Sequence, residues 1–327
     1  MTAFRSGLTR RTLLGGTIGA GASLSAFGVF PDDGARAQAV SAKPAETPIE
    51  RPLAPRVLVI GHRGAPALRP EHTLASYAKA IADGADFVEP DLVSTKDGIL
   101  VARHECNISD TTDVAQHPEF ASRRTTRVID GKSSTGWFTV DFTLAELKTL
   151  RARERLPLMR PRNTRFDGMF DIPTFEEIID FVASESAARG RDVGLIPELK
   201  STPFFRSVGL ATEELFVRVI GSHRYTMTGP LEVQCFYGDS LRMVRDRIGR
   251  SHANIRLMQL LSSGSIRFLA GSGNGDATGF ADMMSPRGLA TIAGYADVIG
   301  PDTRSIIPLG PDGRLGAPTS QIGRAHV

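Results

Sequence analysis

From Val57 onward, short apolar runs alternate with amphipathic segments, and this alternation constrains the fold more than any other feature of the 327 residues. Val57-Leu58-Val59-Ile60 is a continuous apolar run, the pattern of a strand buried on both faces. Leu74, Tyr77, Ala78 and Ile81 share one stripe and predict a helix over 74–82. A strand is expected over 87–93, then a turn at Lys96-Asp97-Gly98 and a short strand over 99–103. The alternation resumes with a helix over 175–187, capped by Thr174, and with strands at 193–199, 231–236, 255–260 and 297–299. Strand–helix repetition within one domain means an α/β fold with a parallel sheet, open or closed into a barrel. Between the two halves, 106–172 carries charges, glycine, proline and little periodicity, and reads as a long excursion.

Composition narrows the class. At 41% hydrophobic and 23% charged residues, the chain is neither disordered, collagen-like nor a coiled coil. The net charge is +3, and four arginines against two aspartates lie before Gln38, leaving 35 basic and 34 acidic residues in the rest. No basic field remains to recruit a nucleic acid or an anionic membrane. Two cysteines, Cys106 and Cys235, make no disulfide framework. The first 37 residues read as an export signal: Arg10-Arg11, an uncharged Gly/Ala/Ser-rich stretch from Thr12 to Pro31, and Ala35-Arg36-Ala37 as a small-x-small cleavage pattern. The alternative is a retained anchor, which Gly15, Gly16, Gly19 and Gly21 make weakly hydrophobic. The twin-arginine export machinery is therefore an expected partner, with a periplasmic or otherwise exported mature protein and no stable membrane span. Residues 38–55, with Pro44, Pro48, Pro52 and Pro55, read as an extended tether ahead of a catalytic domain over 56–327.

In a closed (β/α)8 barrel, chemistry collects at the carboxyl ends of the strands. The polar residues at the expected strand ends are Gly61-His62-Arg63, Glu89-Pro90-Asp91, His104-Glu105, Glu198-Leu199-Lys200 and Gln234. Glu89 and Asp91 are two apart, so they share one face of a strand. With Glu198 they offer three oxygen donors, a set suited to Ca2+ or Mg2+. The competing reading is structural ion pairing with Arg63 and Lys200. One of His62 and His104 would deprotonate an attacking nucleophile and the other would protonate a leaving alkoxide. Arg63 and Lys200 suit a phosphoryl oxygen.

Several motifs occur in order: Gly61-His62-Arg63-Gly64-Ala65, Pro70-Glu71-His72-Thr73-Leu74, Glu89-Pro90-Asp91-Leu92, Ala102-Arg103-His104, Pro197-Glu198-Leu199-Lys200, Gln234-Cys235-Phe236 and Gly300-Pro301-Asp302. Together they resemble the glycerophosphodiester phosphodiesterase family. Arg155-Leu156-Pro157 and the 162–173 stretch are further similar to its exported bacterial branch, whose insertion follows the second strand. The resemblance implies a TIM (β/α)8 barrel of the phospholipase C-like phosphodiesterase type. It implies hydrolysis of a small-molecule glycerophosphodiester to glycerol 3-phosphate and an alcohol. It assigns His62 and His104 as the acid–base pair and Glu89, Asp91 and Glu198 as ligands of one divalent cation, Ca2+ before Mg2+. Arg63 and Lys200 match phosphate contacts, Glu71 an acid that orders the first loop, and Gln234 and Phe236 the substrate side.

Two departures stand out. The family usually carries Asp after the second histidine, where this chain has Glu105, whose longer arm is expected still to orient His104. The family also continues through two more strand–helix units after Gly300-Pro301-Asp302, and Ile322-Gly323-Arg324-Ala325-His326-Val327 matches a translated sequencing adapter. A barrel truncated before its last two strands is the expectation. Rival functions are a phospholipase C- or D-like lyase on the same barrel, and an exported protein that binds phosphodiesters without cleaving them.

Overall fold

The computed structural model describes residues 57–262 and 279–319. The export signal, the tether and the adapter-like residues 322–327 lie outside the described residues. In chain order the strands are β1 (Ile60–His62), β2 (Phe87–Glu89), β3 (Asp91–Ser94), β4 (Leu100–Ala102), β5 (Thr125–Ile129), β6 (Lys132–Gly136), β7 (Gly194–Leu195), β8 (Glu198–Leu199), β9 (Leu231–Cys235), β10 (Ile255–Leu261) and β11 (Val298–Pro301). β2 and β3 form one stave interrupted at Pro90, and β7 and β8 form another interrupted at Ile196-Pro197. Proline has no N–H to give to a ladder, which explains both breaks. Counted this way, six parallel staves pair in chain order, β1 with β2, β2/β3 with β7/β8, these with β9, then β10 and β11. This is an α/β sheet of the barrel type, curled with helices on its outside.

The expected turn over 96–98 is present, and it folds β4 back antiparallel on β3. Helices Leu74–Ala82, Phe175–Arg189, Thr212–Ser222 and Gly238–Ile248 pack on the sheet. Thr73 caps the first of these by accepting from the Ser76 amide. Thr174 and Glu177 form a reciprocal capping box on the second, which Gly190 ends in the left-handed conformation at φ 60°. Their buried faces meet the sheet in one core, with Tyr77, Ile81, Phe175, Ile178, Phe216 and Leu241 against Val88, Leu92, Leu195, Val233 and Leu257. Each such side chain contributes roughly 1.5–3 kcal/mol by leaving water.

Two expectations need correction. The first strand begins at Ile60, and Val57, Leu58 and Val59 are exposed rather than buried on two faces. β1 pairs only with β2 among the described residues, so no described strand flanks the other edge of that run. The excursion is also more ordered than its lack of periodicity suggested. It builds a second small core, in which Phe120, Trp137, Phe138, Phe142 and Leu150 pack with Val93 and Val101 of the main sheet and Phe205. It also contains the antiparallel hairpin β5–β6, whose two-residue loop Asp130-Gly131 has φ of 50° and 74°. Positive φ at both loop residues is the signature of a tight hairpin turn, and Asp-Gly between extended residues is its sequence signal.

Candidate active site

Strand register brings the predicted residues onto one level of the sheet. His62 lies opposite Glu89, Asp91 opposite Glu198, and Glu198 opposite Gln234. Because side chains alternate along a strand, Glu89 and Asp91 project from the same face, with Pro90 between them. One oxygen from each of Glu89, Asp91 and Glu198 lies within 4.8 Å of the others, and all three residues are buried.

Three buried carboxylates repel one another and lose their hydration, so the site must either neutralise them or bind a cation. Part of the neutralisation is internal. Lys200 Nζ donates to Glu198 Oε1 at 2.8 Å, and Arg63 Nε lies 3.4 Å from Asp91 Oδ2. His72 Nε2 also sits 2.9 Å from Asp91 Oδ2, while its Nδ1 faces the Tyr77 hydroxyl at 3.0 Å. Burial would push the Asp91 carboxyl up, but Lys200 and His72 overcome this and hold it well below the usual range. Glu89 has no such partner. It accepts from Gln234 Nε2 at 2.7 Å, and burial together with the Asp91 charge raises its pKa to about 7. Burial likewise pushes Glu198 up, against the pull of Lys200.

The ion-pair reading therefore covers only part of the cluster. Asp91 Oδ1 is buried and has no hydrogen-bond partner, although an unpaired buried acceptor is costly. An orphaned carboxylate oxygen in a cluster with two carboxylates of raised pKa makes a donor set that suits a hard divalent cation. The residues present fit such an ion.

Around this cluster, His104, Glu105, Arg155, Glu198, Lys200 and Phe236 line one cavity of about 530 Å³. His104 Nδ1 lies 2.6 Å from Glu105 Oε1, so the longer arm of Glu105 does reach the imidazole. Hydrogen bonds from His104 and Arg155 to Glu105 outweigh burial and keep its carboxyl low. His62 stands exposed at the end of β1, near enough to Asp91 and His104 to feel their charge. Partial desolvation by the surrounding loops and then the Arg63 charge lower its pKa, favouring the neutral imidazole.

Glu71 and Gln234 both engage neighbouring protein groups. Glu71 is buried and accepts from Arg155 Nε and Nη2 at 2.9 and 2.7 Å, with Arg63 Nη1 at 3.4 Å. Gln234 is buried against Glu89 and the Ile196 carbonyl. Phe236 does line the cavity.

Sequence reasoning gave no role to three groups of residues. His72, a buried histidine, holds a candidate ligand. Arg155 joins the excursion to the site. The hairpin tip Asp130 accepts from Ser201 Oγ at 2.7 Å and from the Tyr237 hydroxyl, and so shapes the far wall of the cavity. His72 and Arg155 stand inside motifs that carry the family resemblance but were given no role, and the Asp-Gly turn is a local sequence signal for the hairpin. Among the described residues, the non-glycine residues with positive φ are Arg63, His72, Asp130 and Ser201, all at this site. Such backbone costs on the order of 1–3 kcal/mol each and persists where the surroundings impose it.

Comparison with known proteins adds independent observations. The model of the glycerophosphoryl diester phosphodiesterase family matches residues 62–280. A glycerophosphodiester phosphodiesterase of Arabidopsis thaliana is 35% identical over 280 residues, 82% of this chain and 70% of its own length. One of Haemophilus influenzae is 29% identical over 262 residues, 75% of this chain and 68% of its own. A crystal structure from Silicibacter pomeroyi assigned to the glycerophosphoryl diester phosphodiesterases superposes with a TM-score of 0.52 at 23% identity, covering 75% of this chain and 74% of that one, a likeness of fold. Plant and bacterial relatives both match, so the similarity carries the family and not the exported branch.

Proposed function

This chain belongs to the glycerophosphoryl diester phosphodiesterase family, and on that footing we propose that it hydrolyses glycerophosphodiesters to glycerol 3-phosphate and an alcohol, using His62 and His104 as its acid–base pair and one divalent cation. The observation that carries the reading is the buried Glu89–Asp91–Glu198 cluster, with its orphaned Asp91 Oδ1, beside a cavity lined by His104. Glu89, Asp91 and Glu198 would hold the ion, Ca2+ by preference among hard cations, and the bound ion would supply Lewis-acid stabilisation of phosphoryl charge.

The other residues have distinct tasks. Glu105 occupies His104 Nδ1, which leaves Nε2 as the nitrogen able to reach substrate. That suits His104 to give a proton to the leaving oxygen. His62, whose pKa is lowered by partial desolvation and by the Arg63 charge, suits removal of the proton from the attacking oxygen. Lys200 uses one donor on Glu198 and keeps two for a phosphoryl oxygen. Arg63, held by Asp91 and Glu71, presents fixed positive charge to the same group. The Arg10-Arg11 pair and the stretch behind it support a site of action outside the cytoplasm.

The test is release of glycerol 3-phosphate from glycerophosphocholine with calcium, then with excess EDTA, by wild type and His104→Ala. Metal-dependent release that His104→Ala abolishes is expected. Silence of the calcium-loaded wild type would overturn the function, and release indifferent to EDTA would overturn the metal assignment.

A further inference from the structure

The excursion contributes one side chain that ties together the loops carrying the two histidines. Arg155 Nε and Nη2 donate to Glu71 Oε1 at 2.9 and 2.7 Å, Nη1 donates to Glu105 Oε1 at 2.7 Å, and Nη2 also reaches Glu105 Oε2. Glu105 in turn holds His104 Nδ1 at 2.6 Å, and Glu71 lies against Arg63, the neighbour of His62. The result is a row of alternating charge, Arg63–Glu71–Arg155–Glu105–His104, drawn from three separate stretches of chain. A planar guanidinium can grip two carboxylates at once in fixed geometry, which an ammonium cannot.

Arg155 is itself anchored. The buried Glu154 accepts from the Leu156 amide at 2.8 Å and from Asn163, and the Glu154 amide donates to Asp167 Oδ1 at 2.7 Å. Arg160 and Asn163 then donate to the Pro66 carbonyl at 3.0 and 3.2 Å, clamping this arm of the excursion onto the first loop. We propose that Arg155 is a positioning residue for catalysis, acting through Glu105 to set the orientation of His104 and through Glu71 to fix the first loop relative to it. This deepens the function proposed above and rests on His104 taking part in proton transfer.

The test is steady-state kinetics on glycerophosphocholine at saturating calcium for Arg155→Met, Arg155→Lys, Glu105→Gln, the double variant Glu105→Gln/Arg155→Met, and His104→Ala. General acid–base groups supply roughly 10²–10⁴-fold, and a misdirected imidazole forfeits part of that. Arg155→Met and Glu105→Gln should each lower kcat about 10- to 100-fold with KM changed less than about 3-fold. Arg155→Lys, which keeps the charge without the fork, should recover part of the loss and serves in place of Arg155→Met if the latter fails to fold. The double variant should fall well short of the product of the two single losses, because the part of the Arg155 effect that runs through Glu105 is already lost in Glu105→Gln. Fully additive losses, a changed KM with kcat intact, or wild-type kcat in both Arg155 variants would each overturn the proposal. His104→Ala separates the two levels: wild-type turnover there would remove the acid–base reading itself, whereas an inactive His104→Ala beside fully active Arg155 variants would remove only the relay.

Discussion

Replacing Glu89 by Gln in the metal-free protein should stabilise it at pH 8 and leave it almost unchanged at pH 4.5. Burial and the neighbouring Asp91 raise the Glu89 pKa from the ordinary 4.5 to about 7 in the folded chain. Below 4.5 the group is protonated whether folded or unfolded, and it contributes nothing to the pH dependence. Between 4.5 and 7 the unfolded chain releases the proton while the folded chain keeps it, so stability falls as pH rises. Above 7 the folded chain carries the full cost of an ionised Glu89. At 1.36 kcal/mol per pKa unit, that cost is about 3 kcal/mol. Glutamine removes the charge and still presents an oxygen to Gln234 Nε2, which now bonds Glu89 Oε1 at 2.7 Å, so the gain is not offset by a lost hydrogen bond.

Urea unfolding in the presence of a chelator, at the two pH values, reads the difference directly. Glu89→Gln should gain about 3 kcal/mol at pH 8 and less than about 0.5 at pH 4.5. Saturating calcium should reverse the order at pH 8, because a ligand that binds only the folded wild type stabilises it in proportion to its affinity. Equal gains at both pH values, or none at pH 8, would refute the reasoning that the carboxylate cluster is strained without a cation.

Three further outcomes follow from the same geometry. Lys200→Met leaves Glu198 buried beside Asp91 without its 2.8 Å partner and should cost about 3 kcal/mol at pH 8 in urea unfolding; a loss under about 1 kcal/mol would mean the pair contributes little. His72→Ala removes the 2.9 Å contact that fixes Asp91 Oδ2 and should weaken calcium binding about 10- to 100-fold by titration calorimetry, with unchanged affinity showing that Asp91 is held without it. Substituting lysine for both Arg10 and Arg11 should retain the protein in the cytoplasmic fraction of an expressing bacterium, and continued export would remove the twin-arginine assignment.

Much of the site was legible because it obeys periodic rules. Glu89 and Asp91 share a face by strand alternation, and their alignment with Glu198 and Gln234 follows once adjacent parallel staves pair in register. The helices over 74–82 and from 175 declared themselves through apolar stripes and Thr caps. Residues that act across sequence distance carried no such signal. Arg155 meets Glu71 across 84 positions and Glu105 across 50, and although it stands in the Arg155-Leu156-Pro157 motif, no period in the excursion predicts either contact. His72 sits on a loop at φ 55°, where neither strand nor helix period applies. The exposure of Val57, Leu58 and Val59 was misread for the opposite reason: an apolar run reports what a strand could bury, not whether a neighbour is there to bury it.

The places where local rules break coincide with the places where chemistry is expected. Pro90 and Pro197 each interrupt a stave immediately before a candidate metal ligand, Asp91 and Glu198. Each proline still offers its carbonyl, Pro90 to the Glu198 amide and Pro197 to the Gln234 amide, so the ladder resumes one step later with the ligands locked in register. Left-handed backbone at Arg63 and Ser201 turns the chain sharply just after His62 and just after Lys200. A sheet built for stability alone would have no reason to place proline inside two staves, unpaired charge beneath them and positive φ at their ends. The surrounding core of buried aliphatic and aromatic side chains is regular by comparison, and it is this regularity that lets one end of the sheet hold a strained, charged arrangement in place.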